Sequence, residues 1–422
     1  MVGAVMNIKR DKYLNDLINR MHNGMIKVVT GIRRSGKSYL IFKIFCEYLL
    51  SQGTKKNHII SIELDRRENK KYCNPDYILE YIKSCIKDNK EYYILIDEIQ
   101  LLDDFESVLN SLLHMHNVDI YVTGSNSKFL SKDIITEFRG RGDEVHVYPL
   151  SFNEFMSVYN GDVYNGFADY MIYGGLPLVS TMKTEEQKVA YLSNLFAETY
   201  IKDIVNRNKI EKTQELEDII SILASSIGSL TNPSRLEATF KSRIKSNICL
   251  NTIFKYIEYL KDAFIVCEAK RYDVKGRKYI GSPIKYYFED VGLRNAKLGF
   301  SQIEKPHLME NVVFNELRYR GYNVDVGIVE KRVRKPDGKL GCAQLEIDFV
   351  ANLGSKRYYI QSAYAIPDEE KRKQETASLL NVNDSFKKII VVNEVTKVTR
   401  DINGVTTMSL YDFLLNPNSL DL

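Results

Sequence analysis

A short glycine-containing segment near the N-terminus limits the fold of this chain more than any other feature. Residues 31–38 read GIRRSGKS and fit the pattern G-x-x-x-x-G-K-[ST]. The preceding IKVVT (26–30) is typical of a buried strand, and the following YLIFKIFCEYLL (39–50) has apolar residues at helical spacing. A strand, a glycine-rich loop and a helix in this order predict a loop whose backbone N–H groups surround phosphate oxygens at a helix N-terminus.

The side chains of this loop have distinct expected roles in binding ATP. Lys37 is expected to reach the β- and γ-phosphates, and the Ser38 hydroxyl is expected to hold Mg²⁺. Arg33 and Arg34 are unusual here, and either solvated side chains or contact with nucleotide or a neighbouring subunit would account for them. A plain glycine turn is the alternative for the whole segment, but the flanking strand and helix favour phosphate binding. The positions expected to line the nucleotide are Gly31, Arg33, Arg34, Ser35, Gly36, Lys37, Ser38 and Tyr39.

A second apolar strand ends in two acids. YYILIDEIQLL (92–102) predicts a strand buried on both faces, as in a parallel sheet, with its carboxyl end at the ligand crevice. Asp97 is expected to hold the Mg²⁺ shell, and Glu98 is expected to act as the general base that polarises the attacking water. Such a pair is common at turns, but Asp97 follows Lys37 by 60 residues (97 − 37) with another strand, HIISIEL (58–64), between them.

Two further segments supply candidate catalytic groups. DIYVTGSNSKFL (119–130) is a strand ending in small polar residues, so Ser125 or Asn126 is expected to read the γ-phosphate or position water. A plain strand-end turn is the alternative. Arg139 and Arg141 precede another strand, predicted over 144–149. In oligomeric ATPases an arginine at this place can enter the neighbouring active site, and a surface salt bridge is the alternative.

Composition adds only broad limits. A chain of 422 residues predicts two to four domains. The net charge of +4, from 59 basic and 55 acidic residues, neither requires nor excludes a nucleic-acid partner. None of the six cysteines forms a C-x-x-C pair, so neither a zinc site nor a disulfide framework is expected. No apolar run reaches the length of a membrane span and no signal peptide is evident, so a cytoplasmic protein without membrane contact is expected.

The order of elements predicts an α/β chain of four parts. Residues 1–150 are expected to form a P-loop NTPase core with a parallel sheet, because strands alternate with helices around the glycine-rich loop. Residues 151–210 form a helical lid interrupted by YGGLP (173–177). Residues 211–295 read as three helices and a hairpin with a basic tip, which indicates a winged helix that either contacts DNA or serves as a packing module. Its candidate DNA contacts are Arg243, Lys245, Lys255, Lys275, Arg277 and Lys278.

The final part, residues 296–422, follows the order helix, hairpin, strand, helix, strand of a restriction-endonuclease-like fold. Asp348 occupies the expected metal-binding acid position, with Glu346 on the same strand face. The next strand has Gln361 at the acid position and Ala363 at the lysine position, so cleavage is not expected unless a lysine comes from elsewhere. The basic loop KRVRKPDGK (331–339) would grip a phosphate backbone or simply be solvated.

Along its whole length the chain resembles a known family, the prokaryotic AAA-fold ATPases whose C-terminal half is a domain of unknown function with a restriction-endonuclease-like core. The resemblance implies ATP binding and hydrolysis, nucleotide roles for Lys37, Ser38, Asp97 and Glu98, and a winged helix between the two ends. It does not supply a substrate. Gln361 recurs in this family, which implies that loss of cleavage is a family trait. The matching motifs are GIRRSGKS, ILIDEIQ, TGSNSKFLS, the Gly140–Arg141 pair before PLSFNEF, YGGLP, KYYFEDVGLRN, ENVVFNEL, EIDFV and YIQ.

Three functions are consistent with these features. The leading hypothesis is a Mg²⁺-dependent ATPase that couples its nucleotide state to a nucleic-acid or protein partner; an arginine acting between subunits would require a homo-oligomer. The second is an ATP-gated DNA nuclease, against which Gln361 and Ala363 argue. The third is a non-hydrolysing switch, against which Glu98 argues, because a protein that only binds nucleotide has no need of a water-activating acid.

Overall fold

The computed structural model describes residues 8–124, 141–244, 248–334 and 340–422. These residues form two compact units, the first comprising Met1–Pro149 with Lys261–Phe264 and the second Leu150–Leu260 with Ile265–Leu422. The candidates Ser125, Asn126, Arg139 and Lys245, the side chain of Arg243, and residues 335–339 of the basic loop lie outside the described residues.

The first unit contains an all-parallel sheet in the order β2-β3-β4-β1-β5. This order places β4 between β1, which precedes the glycine-rich loop, and β3, which ends in the acidic pair. Side chains of β1 and β3 are buried on both faces, as their apolar runs predict. The predicted parallel-sheet core of the AAA type is therefore confirmed. The strands are β1 (Ile26–Thr30), β2 (Ile59–Glu63), β3 (Tyr92–Asp97), β4 (Val118–Thr123) and β5 (Gly142–His146).

Strand β5, which follows Arg139 and Arg141 in the sequence, begins earlier than the predicted range 144–149. It begins at Gly142 because its backbone is in parallel register with β1 from Ile26 onward, and the Arg141 carbonyl accepts a hydrogen bond of 2.8 Å from the Ile26 N–H. It ends at His146, although Val147 N–H still donates to the Thr30 carbonyl at 2.9 Å. Pro149 has no N–H with which to extend the ladder.

Helices cover the sheet of the first unit and bury its apolar side chains. The helix Pro75–Cys85 begins at a well-formed cap, since the Asn74 side chain accepts hydrogen bonds from two backbone N–H groups and Pro75 occupies the first turn. It packs with Phe105–Leu113 against β2 and β3 in one apolar cluster. The helices are Asp11–Ile18, Lys37–Tyr39, Leu40–Phe45 (π-helical), Cys46–Ser51, Pro75–Cys85 and Phe105–Leu113, with short 3-10 turns at Lys56–His58, Arg67–Cys73 and Ile99–Leu101.

The second unit is built around a mixed sheet in the order β13-β14-β12-β11-β10-β9-β7-β8-β6 among the described residues. The helix Lys305–Tyr319, the β9–β10 hairpin, β11, the helix Glu369–Leu380 and β12 follow one another in the predicted order. The strands are β6 (Leu230–Thr231), β7 (Val266–Asp273), β8 (Lys278–Phe288), β9 (Asn323–Arg334), β10 (Leu340–Leu353), β11 (Lys356–Ala363), β12 (Lys387–Val392), β13 (Thr399–Arg400) and β14 (Val405–Ser409).

The basic hairpin of the expected winged helix is present as β7 and β8, but it does not stand alone. Strand β7 pairs in parallel with β9, with Tyr272 opposite Gly327. The hairpin therefore belongs to the same sheet as the final part of the chain, and no break in that sheet marks the expected boundary at residue 295. The winged-helix interpretation and the other domain boundaries stay predictions.

Helices of the second unit occupy the residues of the predicted lid and the helical stretch before the hairpin, and the lid role itself stays a prediction. Among the described residues, no helix combines the length and hydropathy needed to cross a bilayer. The helices are Phe152–Met156, Val163–Tyr173, Glu185–Asn194, Leu195–Ile201 (π-helical), Lys202–Asn208, Thr213–Ser225, Pro233–Thr239, Phe240–Ile244 (π-helical), Leu250–Asp262, Val291–Lys297, Lys305–Tyr319, Glu369–Leu380 and Leu410–Leu415, with 3-10 turns at Val179–Thr181 and Ser419–Asp421.

Two of the quoted motifs, YGGLP and KYYFEDVGLRN, meet inside the second unit. The Asp290 carboxylate accepts hydrogen bonds from the Gly175 N–H at 2.8 Å and the Leu293 N–H at 2.9 Å. Gly174 has φ of +73°, and a Cβ there would overlap the Asp290 carboxylate. The Asn295 amide donates to two carbonyls at the end of the helix Val163–Tyr173. Gly174 therefore ends the helix Val163–Tyr173, and Gly175 joins that helix end to the KYYFEDVGLRN motif through Asp290.

Candidate functional site

The glycine-rich loop is held in a shape that only glycine permits at two positions. Gly31 has φ of +133°, and a Cβ on it would overlap the carbonyl oxygen of Val147. Gly36 is left-handed with φ of +99° and immediately precedes the helical segment that starts at Lys37. Arg34 is exposed and also has a positive φ, +66°. The backbone thus turns so that the helix N-terminus opens onto the loop, as the motif predicts.

Lys37 folds back onto its own loop. Its ammonium donates hydrogen bonds to the carbonyls of Gly31 at 2.8 Å and Ile32 at 3.0 Å, and its side chain is buried. Ser35 is fully buried, and its hydroxyl has no hydrogen-bond partner among the described residues. A buried hydroxyl that finds no protein partner costs free energy, which a ligand oxygen would recover. The loop therefore offers one ammonium and one unsatisfied hydroxyl to an anion.

The carboxyl ends of β3 and β4 meet beside this loop. The Thr123 hydroxyl donates a hydrogen bond to the Asp97 carboxylate and accepts one of 3.0 Å from the Glu98 N–H. Burial raises the pKa of Asp97, and hydrogen bonding from Thr123 and Ser38 acts in the opposite direction. Ser38 and Asp97, predicted separately as metal ligands, therefore lie near each other.

Glu98 leaves the strand in an uncommon backbone conformation. Its φ and ψ are both 52°, in the left-handed region that non-glycine residues adopt only when the surroundings hold them there. The Thr123 hydroxyl fixes its N–H, and the Gln100 amide donates to its carboxylate. The side chain is half-buried. Glu98 is therefore held at the sheet edge by groups on both sides, while part of its carboxylate stays accessible.

Two further acids lie beside Asp97. Glu63 is directly opposite Asp97 in the parallel register of β2 and β3, and Asp65 follows two residues later. One carboxylate oxygen from each of Glu63, Asp65 and Asp97 lies within 4.8 Å of the others. Mg²⁺ prefers hydroxyl, carboxylate and water oxygens, so the Ser38 hydroxyl and these carboxylates form a donor set that fits this ion.

The other candidate residues differ in how far their side chains are exposed to solvent. Arg33 and Tyr39 are half-buried, whereas Arg141 is exposed at the start of β5. The structure brings Lys37, Ser38, Asp97 and Glu98 to one edge of the sheet. Thr123 joins them and was missed from sequence. The sequence offered one signal: Thr123 is the last residue of the buried strand that precedes the candidates Ser125 and Asn126.

A buried ion pair supports the strands beneath the loop. Lys27 on β1 is completely buried and pairs with Asp119 on β4, which is 4% exposed. The Asp119 carboxylate also accepts hydrogen bonds from the Tyr121 hydroxyl at 2.8 Å and the His22 N–H at 3.1 Å. A buried pair is tolerated when its remaining bonding capacity is used, as it is here. The pair joins the strand before the loop to the strand that carries Thr123.

The second unit holds a separate group of acids around a lysine that was not singled out from sequence. The Lys285 ammonium lies 2.9 Å from Glu310 Oε1, 2.7 Å from Glu346 Oε1 and 3.9 Å from Asp348 Oδ1. The Tyr287 hydroxyl donates to Glu310 at 2.7 Å. Burial opposes the charge of Lys285, but attraction to Glu310, Asp348 and Glu346 outweighs it and raises its pKa. Lys285 precedes Asp348 by 63 residues (348 − 285), on a strand assigned from sequence to a different domain.

Gln361 and Ala363, which stand at the expected acid and lysine positions, have different surroundings. The Gln361 side-chain oxygen accepts a long hydrogen bond of 3.4 Å from the Asp348 N–H, and the Ser362 N–H donates to the Asp348 carboxylate at 2.8 Å. Ala363 belongs to an apolar cluster that includes Ile347. Burial and repulsion by Glu310 raise the pKa of Asp348, against the attraction of Lys285. The expected acid position therefore lies beside Asp348, and the cation comes from β8.

Comparison with protein families and known proteins finds relatives along the chain. A model of an AAA domain matches residues 23–156, and a model described as a domain of unknown function (DUF8612) matches residues 164–304. An uncharacterized protein of Haemophilus influenzae is 35% identical over 415 residues, which cover 97% of this chain and 98% of that protein. An uncharacterized protein of Methanocaldococcus jannaschii is 27% identical over 385 residues, covering 87% of this chain and 81% of that protein.

The similar solved structures share little sequence with this chain. The Aeropyrum pernix ORC1 protein, determined in complex with DNA, is 12% identical with a TM-score of 0.28, covering 68% of this chain and 91% of that chain. Cdc6p from Pyrobaculum aerophilum is 12% identical with a TM-score of 0.29, covering 71% of this chain and 94% of that chain. TM-scores of this size indicate no close correspondence of the whole chains.

Proposed function

This chain belongs to the AAA-type P-loop ATPase family of prokaryotes, and from that premise we propose that it is a Mg²⁺-dependent ATPase that couples its nucleotide state to a nucleic-acid or protein partner. One observation carries the ATPase proposal: the Asp97 carboxylate, the Thr123 hydroxyl and the Glu98 N–H are linked by hydrogen bonds at the ends of β3 and β4, beside the glycine-rich loop. These residues bring an oxygen ligand for Mg²⁺ and the water-activating acid together in one place.

The loop residues would bind the triphosphate. Lys37 is buried and bonded to the carbonyls of Gly31 and Ile32, so its charge is already desolvated and held in the loop. When the triphosphate binds, the Lys37 ammonium would exchange these bonds for bonds to phosphate oxygens. The Ser35 hydroxyl would gain the partner that it lacks among the described residues. Gly31, Arg33, Arg34, Gly36 and Tyr39 would line the nucleotide together with these residues. Ser38 and Asp97 would hold Mg²⁺, which neutralises charge that develops on the phosphates when bound.

The acid after β3 would activate water. Glu98 would accept a proton from the attacking water. The Thr123 hydroxyl and the Gln100 amide would hold Glu98 in position for this step. Asn126 would position the same water, and Arg141 would act on the nucleotide of a neighbouring subunit. The role of Arg141 requires a homo-oligomer, so it is tested by whether turnover per chain rises with protein concentration.

The direct test is ATP turnover by the purified chain with Mg²⁺, with EDTA, and with added single-stranded DNA, duplex DNA or RNA. We expect turnover that EDTA abolishes and that nucleic acid increases. Turnover that none of the three nucleic acids changes would support a protein partner instead. Absence of turnover under all conditions, in a chain that binds ATP, would contradict hydrolysis and favour the switch.

A second candidate function follows from Lys285. Three carboxylates around one ammonium carry a net charge of −2 (1 − 3) when all are ionised, which a divalent cation or bound protons would balance. The sequence argued against cleavage of nucleic acid because Ala363 supplies no lysine, and Lys285 supplies one from another strand. We infer that this site is the place where a metal-dependent nuclease activity would reside, with Asp348 as a metal ligand and Lys285 beside the attacking water.

The nuclease candidate has its own test. End-labelled single-stranded DNA, duplex DNA and RNA are incubated with the chain, Mg²⁺ or Mn²⁺, and with or without ATP. Cutting by the wild type that K285M and D348N both abolish would support the candidate. If the wild type leaves every substrate intact, the group is a structural ion-pair network and the candidate is rejected.

A further inference from the structure

A cavity of about 510 Å³ lies in the second unit at one end of its sheet. Lys275 and Arg277 enter it from the turn between β7 and β8, and Lys356 and Arg357 enter it from the start of β11. Its volume falls within the range of roughly 300–1,000 Å³ that is usual for small-ligand sites. Two turns that are far apart in sequence thus present four cations to one space.

The lining of the cavity has a net positive charge, because it contains four cationic side chains and one acidic one. Asp384 is the acid in its lining, and its carboxylate already accepts hydrogen bonds from the Tyr359 hydroxyl at 2.6 Å and the Phe386 N–H at 3.2 Å. Lys275 bonds to a carbonyl oxygen, that of Glu330 at 2.7 Å, and therefore keeps its full charge. Lys356 pairs with Asp421 at 3.0 Å, but both side chains are 53% exposed, and such surface pairs exchange partners at little cost.

Aromatic rings lie among these cations. The Arg357 guanidinium is 5.3 Å from the centre of the Tyr272 ring and 5.4 Å from that of the Phe386 ring, so it packs against both side chains. Phe386 is 40% exposed, so part of this side chain is accessible from solvent. A partly exposed aromatic ring next to several cations forms the combination that stacks unpaired bases and neutralises phosphates.

We propose that this cavity binds single-stranded nucleic acid, with the phosphates on Lys275, Arg277 and Lys356 and one unpaired base against the Phe386 ring. Duplex nucleic acid keeps its bases stacked on one another, so it would engage the cations but not the ring. The inference rests on the proposed function only for the idea of a nucleic-acid partner. It names the strandedness of that partner and the place where it binds.

The test is fluorescence anisotropy with a fluorescein-labelled oligodeoxythymidine of about 16 nucleotides, an upper site size for one binding module, and with a duplex of equal length. We expect the wild type to bind the single strand more tightly than the duplex. R277E, at an exposed turn, should weaken binding of both probes at low salt, by about 3- to 10-fold. F386A should weaken the single strand by about 5-fold or more, as loss of one stacked base does, and leave the duplex unchanged.

Controls separate this inference from folding and from the proposed ATPase. K55E, at an exposed lysine of the first unit, makes the same charge change as R277E and should leave both affinities unchanged. Each variant should keep the wild-type circular dichroism spectrum and the wild-type ATP turnover measured without nucleic acid. Equal affinity for single strand and duplex, or unchanged binding in F386A and R277E, would overturn the cavity assignment while measured ATP turnover leaves the ATPase intact. Binding as predicted without any ATP turnover would overturn the ATPase alone.

Discussion

The Thr123 hydroxyl donates a hydrogen bond to the Asp97 carboxylate, although the two residues are 26 positions (123 − 97) apart in the chain. The bond joins the end of β4 to the end of β3, and the same hydroxyl accepts a hydrogen bond from the Glu98 N–H. One side chain thus holds both the proposed Mg²⁺ ligand and the proposed base at the carboxyl end of the sheet. The individual groups of the proposed ATP site can be tested one at a time.

Removing the loop lysine should remove nucleotide binding. In K37A the triphosphate loses its buried ammonium, so we expect ATP affinity and turnover to fall by about 100-fold or more. Binding is measured by isothermal titration calorimetry and turnover by phosphate release. The control is K43A, which removes an exposed lysine on the adjoining π-helix that forms a surface ion pair with the exposed Glu47. Equal ATP affinity in K37A and wild type would refute the assigned role.

Neutralising the acid after β3 should separate binding from hydrolysis. E98Q keeps the shape of the side chain but has no carboxylate to accept a proton, so turnover should fall by about 10²- to 10⁴-fold. ATP affinity should stay within about 3-fold of wild type, because Glu98 is proposed to act on water and not on the phosphates. E68Q, at an exposed position, is the matched control. Wild-type turnover in E98Q would exclude Glu98 as the base.

Thr123 is expected to act by positioning its neighbours. T123V keeps the side-chain volume but leaves the Asp97 carboxylate and the Glu98 N–H without this partner, which should lower the free energy of unfolding by about 1–3 kcal/mol. We expect kcat to fall while KM for ATP changes little, and T123S, which restores the hydroxyl, to recover most of the activity. Urea unfolding and steady-state kinetics provide the two measurements. A T123S variant as inactive as T123V would contradict the positioning role.

Asp290 should make stability depend on pH. Burial raises its pKa from 3.8 to about 6, and its bonds to backbone N–H groups reduce the shift without cancelling it. A pKa that is higher in the folded chain gives a stabilising contribution that is complete below about pH 4 and is lost as the pH rises through about 6. The difference in pKa corresponds to about 3 kcal/mol in the free energy of unfolding.

The corresponding variant is D290N, which cannot change charge. Between about pH 4 and pH 7 its free energy of unfolding should fall by less than that of wild type, with the difference approaching about 3 kcal/mol. D290N should also be less stable at low pH than the wild type, because an amide oxygen replaces only one of the two oxygens that accept N–H bonds. D11N, at an exposed aspartate, is the control. Parallel pH profiles for D290N and wild type would show that Asp290 keeps an ordinary pKa.

The buried pair beneath the loop gives a prediction about folding. K27M should lower the free energy of unfolding by about 3–5 kcal/mol, because it leaves the buried Asp119 carboxylate without its cation. The double variant K27M/D119L removes the stranded charge and should recover much of the loss. Urea unfolding of the two variants and wild type measures both effects. A double variant that is less stable than K27M would show that Asp119 has a further structural role.

Sequence alone predicts what depends on local pattern. The strands at 26–30 and 92–97 follow from apolar runs, and Lys37, Ser38, Asp97 and Glu98 follow from motifs attached to those runs. Sequence does not predict Thr123, because its role depends on β4 being inserted between β1 and β3. Such an order arises from long-range pairing that no local spacing encodes.

The same limit explains the two buried lysines. Lys27 lies in an apolar strand pattern where a lysine reads as an exposed residue, and only the pairing of β1 with β4 brings Asp119 to it. Lys285 reads as part of a basic hairpin, and only the inclusion of β7 and β8 in the second sheet places it beside Asp348. In both cases the partner of a charge is set by strand neighbours and not by sequence distance.

The parallel pairing of β7 with β9 has a practical consequence for dissecting this protein. A recombinant fragment cut at residue 295 would remove β6, β7 and β8 from the sheet and leave β9 as an open edge, with its N–H and C=O groups unpaired. Exposed edges of this kind recruit other chains and precipitate. It would also remove Lys285 from its three acids, so an inactive or insoluble C-terminal fragment would reflect the cutting point. A fragment that begins at Leu150 keeps the whole sheet together with the helix that Asn295 contacts, and is the piece to express.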